Sequence, residues 1–316
     1  MSFDGIKKPS HNESDRVTGA SLMSRPNYLQ VFAGLMAFLI WLITPQPALS
    51  CSISFHQGVE ALQTGQFEDA VRAFSIAIDA DQNQSLAYAN RCLAQLELAH
   101  YSEAIADCTA SLNQQPNQSE VLLNRGLAYY RMGNYQAAIA DNSTLLRTHA
   151  DVRAYFNRGL AKVAMQQYWQ ALIDYDRALA QQPEDQSTIA EIYTDRGLAY
   201  FALQQMPKAI SDFSQAIDLN TQDERAYYNR GCLYRWQGNF VAAIADFTTA
   251  IALQPDHASA YLERGIAHAQ KGRAASALSD LKNAASLFEQ HGHTIAYQQT
   301  VALIQQLQLT RQTAMG

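Results

Sequence analysis

Charge is scarce in this 316-residue sequence. Only 16% of residues are Asp, Glu, Lys or Arg, against about a quarter in ordinary globular chains. The 23 basic residues are outnumbered by 29 acidic ones, for a net charge of −6. That argues against nucleic acid as a partner, because such binding draws on a cationic surface. Catalytic signatures are missing too: there is no Gly-rich phosphate loop ending in Lys, no HExxH and no paired CxxC. His291 and His293 stand two apart in a terminal linker and read as a solvated turn rather than as metal ligands. The sequence therefore assigns no catalytic residue, no metal site and no cofactor. Hydrophobic residues, at 48%, are ample for a core, which excludes wholesale disorder.

The longest apolar run is short. Val31 to Ile43 is thirteen residues, roughly 20 Å of helix against a hydrocarbon core of about 30 Å. Arg25 and Pro26 precede it, and the small-residue exit Ala48-Leu49-Ser50 follows Pro45 and Pro47. A basic end, a short apolar core and a small-residue exit read as an export signal cleaved after Ser50. With Met23 as the start, the signal becomes compact. One alternative is an uncleaved anchor helix over residues 29–44. Another is lipid attachment at Cys51, although Ala48 stands where a lipoprotein box wants a larger aliphatic residue. All three place the rest of the chain outside the cytoplasm, in the periplasm or an equivalent lumen.

The remainder repeats itself. Gly58, Cys92, Gly126, Gly159, Gly197, Gly231 and Gly265 mark one position, at a spacing close to 34 residues. Twelve residues after each comes alanine: Ala70, Ala104, Ala138, Ala171, Ala209, Ala243 and Ala277. A period of this size, held over seven copies, signals a solenoid of supersecondary units. Tyr227, Arg230, Gly231 and Tyr234 share one helical face. Gly238 and Asn239 interrupt it, and a second face runs through Phe240, Ala243, Ile244 and Phe247 until Pro255 ends it. Small residues let paired helices approach, and aromatics fill the wedge between pairs.

This pattern of Gly, Tyr, Ala, Phe, Ala and Pro resembles the tetratricopeptide repeat, and Asn229-Arg230-Gly231 resembles its bacterial Asn-Arg-Gly subtype. The resemblance implies an all-α, right-handed superhelical solenoid of about seven helical hairpins. They cover 51–84, 85–118, 119–151, 152–185, 190–223, 224–257 and 258–291, with a capping helix and tail over 292–316. Residues 1–50 form the polar extension with the signal or anchor. Copy three departs from the pattern by carrying Asn142 where its siblings have an aromatic, with Leu145 partly restoring the volume. Gln186 to Ile189 are extra; Ser187 could cap a longer first helix in copy five, and a loop between copies four and five is favoured over a bend between two subarrays. Cys92 and Cys108 replace a Gly and an aromatic that face each other in copy two. Two buried free thiols are favoured over a disulfide there, because helix-to-helix Cα spacing often exceeds the disulfide limit. Cys232 is expected to be a small groove-side filler, and His268 a packing residue in place of a core Tyr.

Two charged columns recur. Arg91, Arg125, Arg158, Arg196, Arg230 and Arg264 are each followed sixteen residues later by Asp107, Asp141, Asp174, Asp212, Asp246 and Asp280. Fixed spacing favours an internal ladder of Arg–carboxylate pairs over a recognition stripe. One residue before each Arg stands Asn90, Asn124, Asn157, Asp195, Asn229 or Glu263. The resemblance puts this column on a concave peptide groove, where an Asn amide offers a donor and an acceptor to a peptide unit. Bonds within the array are the equal alternative. Tyr130, Phe201 and Trp236 would add apolar contact, and Arg131 and Arg235 would meet acidic groups. The lysines of a carboxylate clamp are absent, the matching positions holding Leu86, Ala89, Glu120 and Leu123.

The function implied is a noncatalytic, exported adaptor that holds another protein or peptide, in envelope or membrane-complex assembly. The competing readings are a self-associating or membrane-tethered structural array and an accessory subunit of an exported enzyme. Processing has a direct test. Intact mass of the protein purified from its own host should match a chain beginning at Cys51 or Ser52, and a mass retaining residues 24–50 would replace cleavage by an anchor.

Overall fold

The computed structural model describes residues 47–80 and 84–315, with side chains from 54 to 309. The apolar run and the anchor alternative over 29–44 lie outside the described residues, as does the Cys51 side chain. Fifteen helices and no strand occur among the described residues. They pair as α1 (Pro47–Gln63) with α2 (Phe67–Asp79), α3 (Gln84–Glu97) with α4 (Tyr101–Gln114), and α5 (Ser119–Arg131) with α6 (Tyr135–Leu146). Next come α7 (Val152–Ala164) with α8 (Tyr168–Ala180), and α9 (Gln186–Ala202) with α10 (Met206–Leu219). The last pairs are α11 (Glu224–Trp236) with α12 (Phe240–Leu253), and α13 (Ala258–Gln270) with α14 (Ala274–Gln290), closed by α15 (Thr294–Met315). The Ala48-Leu49-Ser50 triplet lies in the first turn of α1. None of these helices is long and apolar enough to cross a membrane.

Local chemistry sets the boundaries. Pro116, Pro183 and Pro255 follow closely on the ends of α4, α8 and α12, where a residue without an N–H cannot continue a helix. Gly133 and Gly238 turn each chain back at φ of 77° and 76°, a left-handed conformation that glycine adopts without penalty. Asp151, Asp185 and Asp223 accept amide hydrogens at the starts of α7, α9 and α11. The four extra residues are not a loop. Asp185 caps them into the first turn of α9, binding the Ser187 and Thr188 amides at 3.2 and 2.8 Å. The insertion therefore lengthens a helix.

Packing within each hairpin follows the small-against-large rule. The seven alanines of the repeated column are all fully buried. A Cβ placed on Gly159 would fall 2.6 Å from the Tyr175 ring, and one on Gly231 2.8 Å from Phe247, so these positions admit no side chain without repacking. In copy three Asn142 takes the aromatic's place, fully buried, its amide donating to the Ala138 carbonyl at 2.8 Å, while Leu145 is buried beside it. Each odd-numbered helix from α1 to α11 touches the next odd-numbered one, with no comparable contact between successive even-numbered helices. The odd helices therefore lie on the tighter, inner side of the curved stack.

The charged columns form the internal ladder. In all six copies the guanidinium grips the Asp carboxylate through Nε and Nη2, at 2.6–2.9 Å. The Asp side chains are buried. The remaining Nη1 reaches back to the preceding even helix, to Ser75, Thr109, Ser143, Asp176, Ser214 and Thr248 at 2.7–3.1 Å. Each Arg thus ties three helices. Removing one would strand a buried carboxylate, at a cost of about 3–5 kcal/mol.

Cys92 and Cys108 are joined in a disulfide, against the expectation of free thiols. The Gly and aromatic positions they occupy are where paired helices come closest, and the Cα atoms stand 5.4 Å apart, inside the disulfide range. Bridging residues sixteen apart should contribute about 3 kcal/mol by restricting the unfolded chain. Alkylation of denatured, unreduced protein should label Cys232 and spare Cys92 and Cys108. Reduction should lower the denaturant midpoint, and quantitative labelling of all three before reduction would exclude the bridge.

The candidate peptide groove

Because the odd helices face inward, their residues just before the Arg column line the concave wall. Their surroundings differ along the array. Asn90, Asn124 and Asn157 on α3, α5 and α7 are half-buried, and none of the hydrogen bonds within the described chain engages their amides. Three residues further on, Leu93, Leu127, Leu160 and Leu198 are also half-buried, forming an apolar strip beside the amides. The column spacing alone would have located that strip.

Copies five to seven use the same positions otherwise. Asp195 is 7% exposed and its Oδ1 accepts from Arg225 Nη2 at 2.7 Å. Glu263 pairs with Arg235 at 2.5 Å. Both arginines belong to α11, so that helix is clamped at its start to α9 and at its end to α13. Arg235 is therefore already paired with an acid of the chain itself. Asn229 donates to the Arg225 carbonyl at 2.8 Å, an internal bond of the same helix. Phe201 and Trp236 meet edge-on at 6.1 Å, with Trp236 55% exposed. Tyr130 packs against Tyr135 at 5.5 Å, and Arg131 beside it is half-buried. Cys232 is half-buried on the same wall, and burial with Glu263 nearby pushes its thiol up to about 12. It is not an activated thiol.

Several residues of this wall escape a reading of the Asn column alone. Arg225, Glu191, Thr194 and Asp223 gather around Asp195, with Thr194 donating to Asp223 at 2.8 Å. Burial raises Asp195, opposed by Arg225. Burial raises Glu191 as well, followed by the charge of Asp195 four residues away on the same helix. Tyr130 is pushed up to about 12, by burial first and then by Asp195. The signal available in sequence was the i, i+4 spacing of Glu191 and Asp195. Around the wall no group of acids, histidines and cysteines with metal-holding geometry occurs among the described residues. His268 sits 3.8 Å from Asp280, and burial lowers its pKa, consistent with a packing role.

A carboxylate raised in the folded state contributes stability that is complete below its unfolded pKa and is lost as pH rises through the folded value. Glu191→Gln should therefore stabilise the array at neutral pH. A like-charge pair at i, i+4 costs about 0.2–0.5 kcal/mol, so the thermal midpoint should rise by about 0.4–2 °C. The gain should vanish as pH falls below about 4, the ordinary Glu range. A scan in which the variant is less stable at neutral pH would contradict this charge balance.

Known proteins bear on the architecture. Tetratricopeptide repeat family models match residues 55–119, 90–155, 123–186 and 224–257, and a TPR repeat model matches 197–238. A tetratricopeptide repeat protein from Parabacteroides merdae superposes with a TM-score of 0.64 at 20% identity, over 80% of this chain and 99% of that one. The C-terminal part of a TPR repeat-containing protein from Cytophaga hutchinsonii gives 0.52 at 21%, over 64% and 79%. MamA from Desulfovibrio magneticus RS-1 gives 0.50 at 23%, over 55% and 97%. Among curated proteins no match is found. At these identities the structures speak to the fold, and together the family models cover well over half of the sequence: the chain belongs to the tetratricopeptide repeat proteins.

Proposed function

We propose that the array is a noncatalytic adaptor that holds an extended segment of another protein in its concave groove. The observation carrying this reading is the run of three Asn amides, Asn90, Asn124 and Asn157, on successive inner helices with no hydrogen bond among the described residues. Half-buried amides without a partner in the protein can bond to water or to a ligand that displaces it. Three in register, beside an apolar strip of leucines, suit a peptide backbone that supplies both donor and acceptor. An envelope setting is part of the proposal. The short apolar run with its small-residue exit supports export, and so does the Cys92–Cys108 bridge, since disulfides persist in oxidising compartments.

The test uses the array as bait against its native envelope fraction. Each lost amide contact is worth about 0.5–1.5 kcal/mol, so Asn124→Ala plus Asn157→Ala should weaken partner capture by about tenfold or more. The thermal midpoint should stay nearly unchanged, because neither side chain makes a hydrogen bond among the described residues. A large loss of stability with unaltered capture would assign these residues to folding instead.

A further inference from the structure

Charge is unevenly placed on this acidic chain. Each hairpin is antiparallel and successive hairpins stack in the same sense, so the turns within hairpins fall on one edge of the array. The junctions between hairpins fall on the other. That junction edge carries an acid at every step from copy two onward: Glu120, Asp151, Asp185, Asp223, Asp256 and Glu289. The turn edge of copies three to seven carries none. Its segments, 131–140, 162–173, 200–211, 235–245 and 269–279, contain Arg131, Lys162, Lys208, Arg235, Lys271 and Arg273 and no Asp or Glu. Lys162 and Arg235 are paired with Asp174 and Glu263. The other four enter none of the ion pairs among the described residues, and Lys208, Lys271 and Arg273 are exposed.

The same edge collects apolar side chains. Eleven large hydrophobics are exposed among the described residues, and six of them lie in these segments: Met132, Met165, Trp169, Ile173, Trp236 and Val241, at 37–62% exposure. Trp169 and Ile173 stand a turn apart on one face of α8. A nucleic acid would take up the cations and leave the indoles in water. A rigid protein partner needs a contiguous, shaped patch, whereas these groups are spread over copies three, four and six with Gln and cations between them. A bilayer with anionic headgroups meets both features at once. Indole and thioether groups enter the headgroup region, while Lys and Arg stay at its charged surface. None of the described helices is long and apolar enough to cross it, so the contact is peripheral.

We propose that the turn edge of copies three to seven is a docking surface for an anionic lipid bilayer. The hairpin tips dip Met and Trp side chains into it, and the acids of the junction edge oppose the inverted orientation. This attachment is independent of what the groove holds.

The test uses protein purified from its own host and carrying Trp41→Phe, so that Trp169 and Trp236 are the only indoles. It is titrated with vesicles whose acyl chains carry bromine, made of phosphatidylcholine alone or mixed with phosphatidylglycerol. Both indoles should be quenched on the mixed vesicles at far lower lipid than on phosphatidylcholine. Lys208→Gln, Lys271→Gln and Arg273→Gln together should raise the half-quenching lipid concentration about a hundredfold, as three cations near an anionic surface would give. Arg147→Gln, Arg177→Gln and Lys282→Gln change the net charge equally but remove exposed cations outside this edge, and should move it by no more than about threefold. Equal quenching on the two vesicle types, equal loss in the two triple variants, or sedimentation with vesicles while the indoles stay unquenched overturns the proposal. An array that ignores both vesicle types overturns it too, and leaves the edge to a protein partner.

Discussion

The guanidinium column is the constraint on which the rest of the array depends. Hairpins of this kind bury little surface individually, and stacking them needs a connector that repeats with the same period as the fold. Each Arg supplies one. It is bound bidentately to a buried Asp of its own hairpin and to a hydroxyl or carboxylate of the preceding one, and it lies within 6.0 Å of a tyrosine ring on its own helix. These are planar, directional contacts, which fix the angle between hairpins as well as their distance. Apolar clusters strung along the array provide most of the burial. The Arg column determines how one cluster sits over the next.

That geometry leaves the inner wall free to vary, and the wall divides into two regimes. In copies two to four its polar column is unengaged. In copies five to seven the same positions are tied up by α11, whose two arginines reach in opposite directions along the groove. One half of the wall thus presents neutral amides beside leucines, the other charge and an exposed indole. A surface so divided would distinguish the two ends of an extended segment laid along it, because reversing the segment would exchange its neutral and charged portions.

Much of this was legible in sequence for a physical reason: a strict period forces every structural requirement to declare itself several times. The Gly and Ala positions, the six Arg–Asp pairs and the buried compensation of Asn142 by Leu145 could be placed because their columns are aligned. What escaped were events that happen once. Arg225 is invisible as a partner of Asp195, since no other copy repeats the pair. The cysteines of copy two gave a volume exchange but not a bond, because column logic fixes which residues face each other and not the Cα distance between them. The extra residues that open α9 read as a loop in sequence, because the Asp185 cap that makes them helical is a local hydrogen-bond choice that periodicity does not encode.

The bridge in copy two has a mechanical consequence. A linear stack is strongest in its middle and opens from its ends, since terminal hairpins have a neighbour on one side only. Tension on the amino-terminal segment, as would arise if that segment were held at a surface, peels α1 and α2 first and then loads α3. There the covalent link between Cys92 and Cys108 carries the force past the intervening turn, and roughly 55 Å of contour length is withheld from extension. Copy two therefore yields less length than its neighbours when it opens, and passes the load directly to copy three.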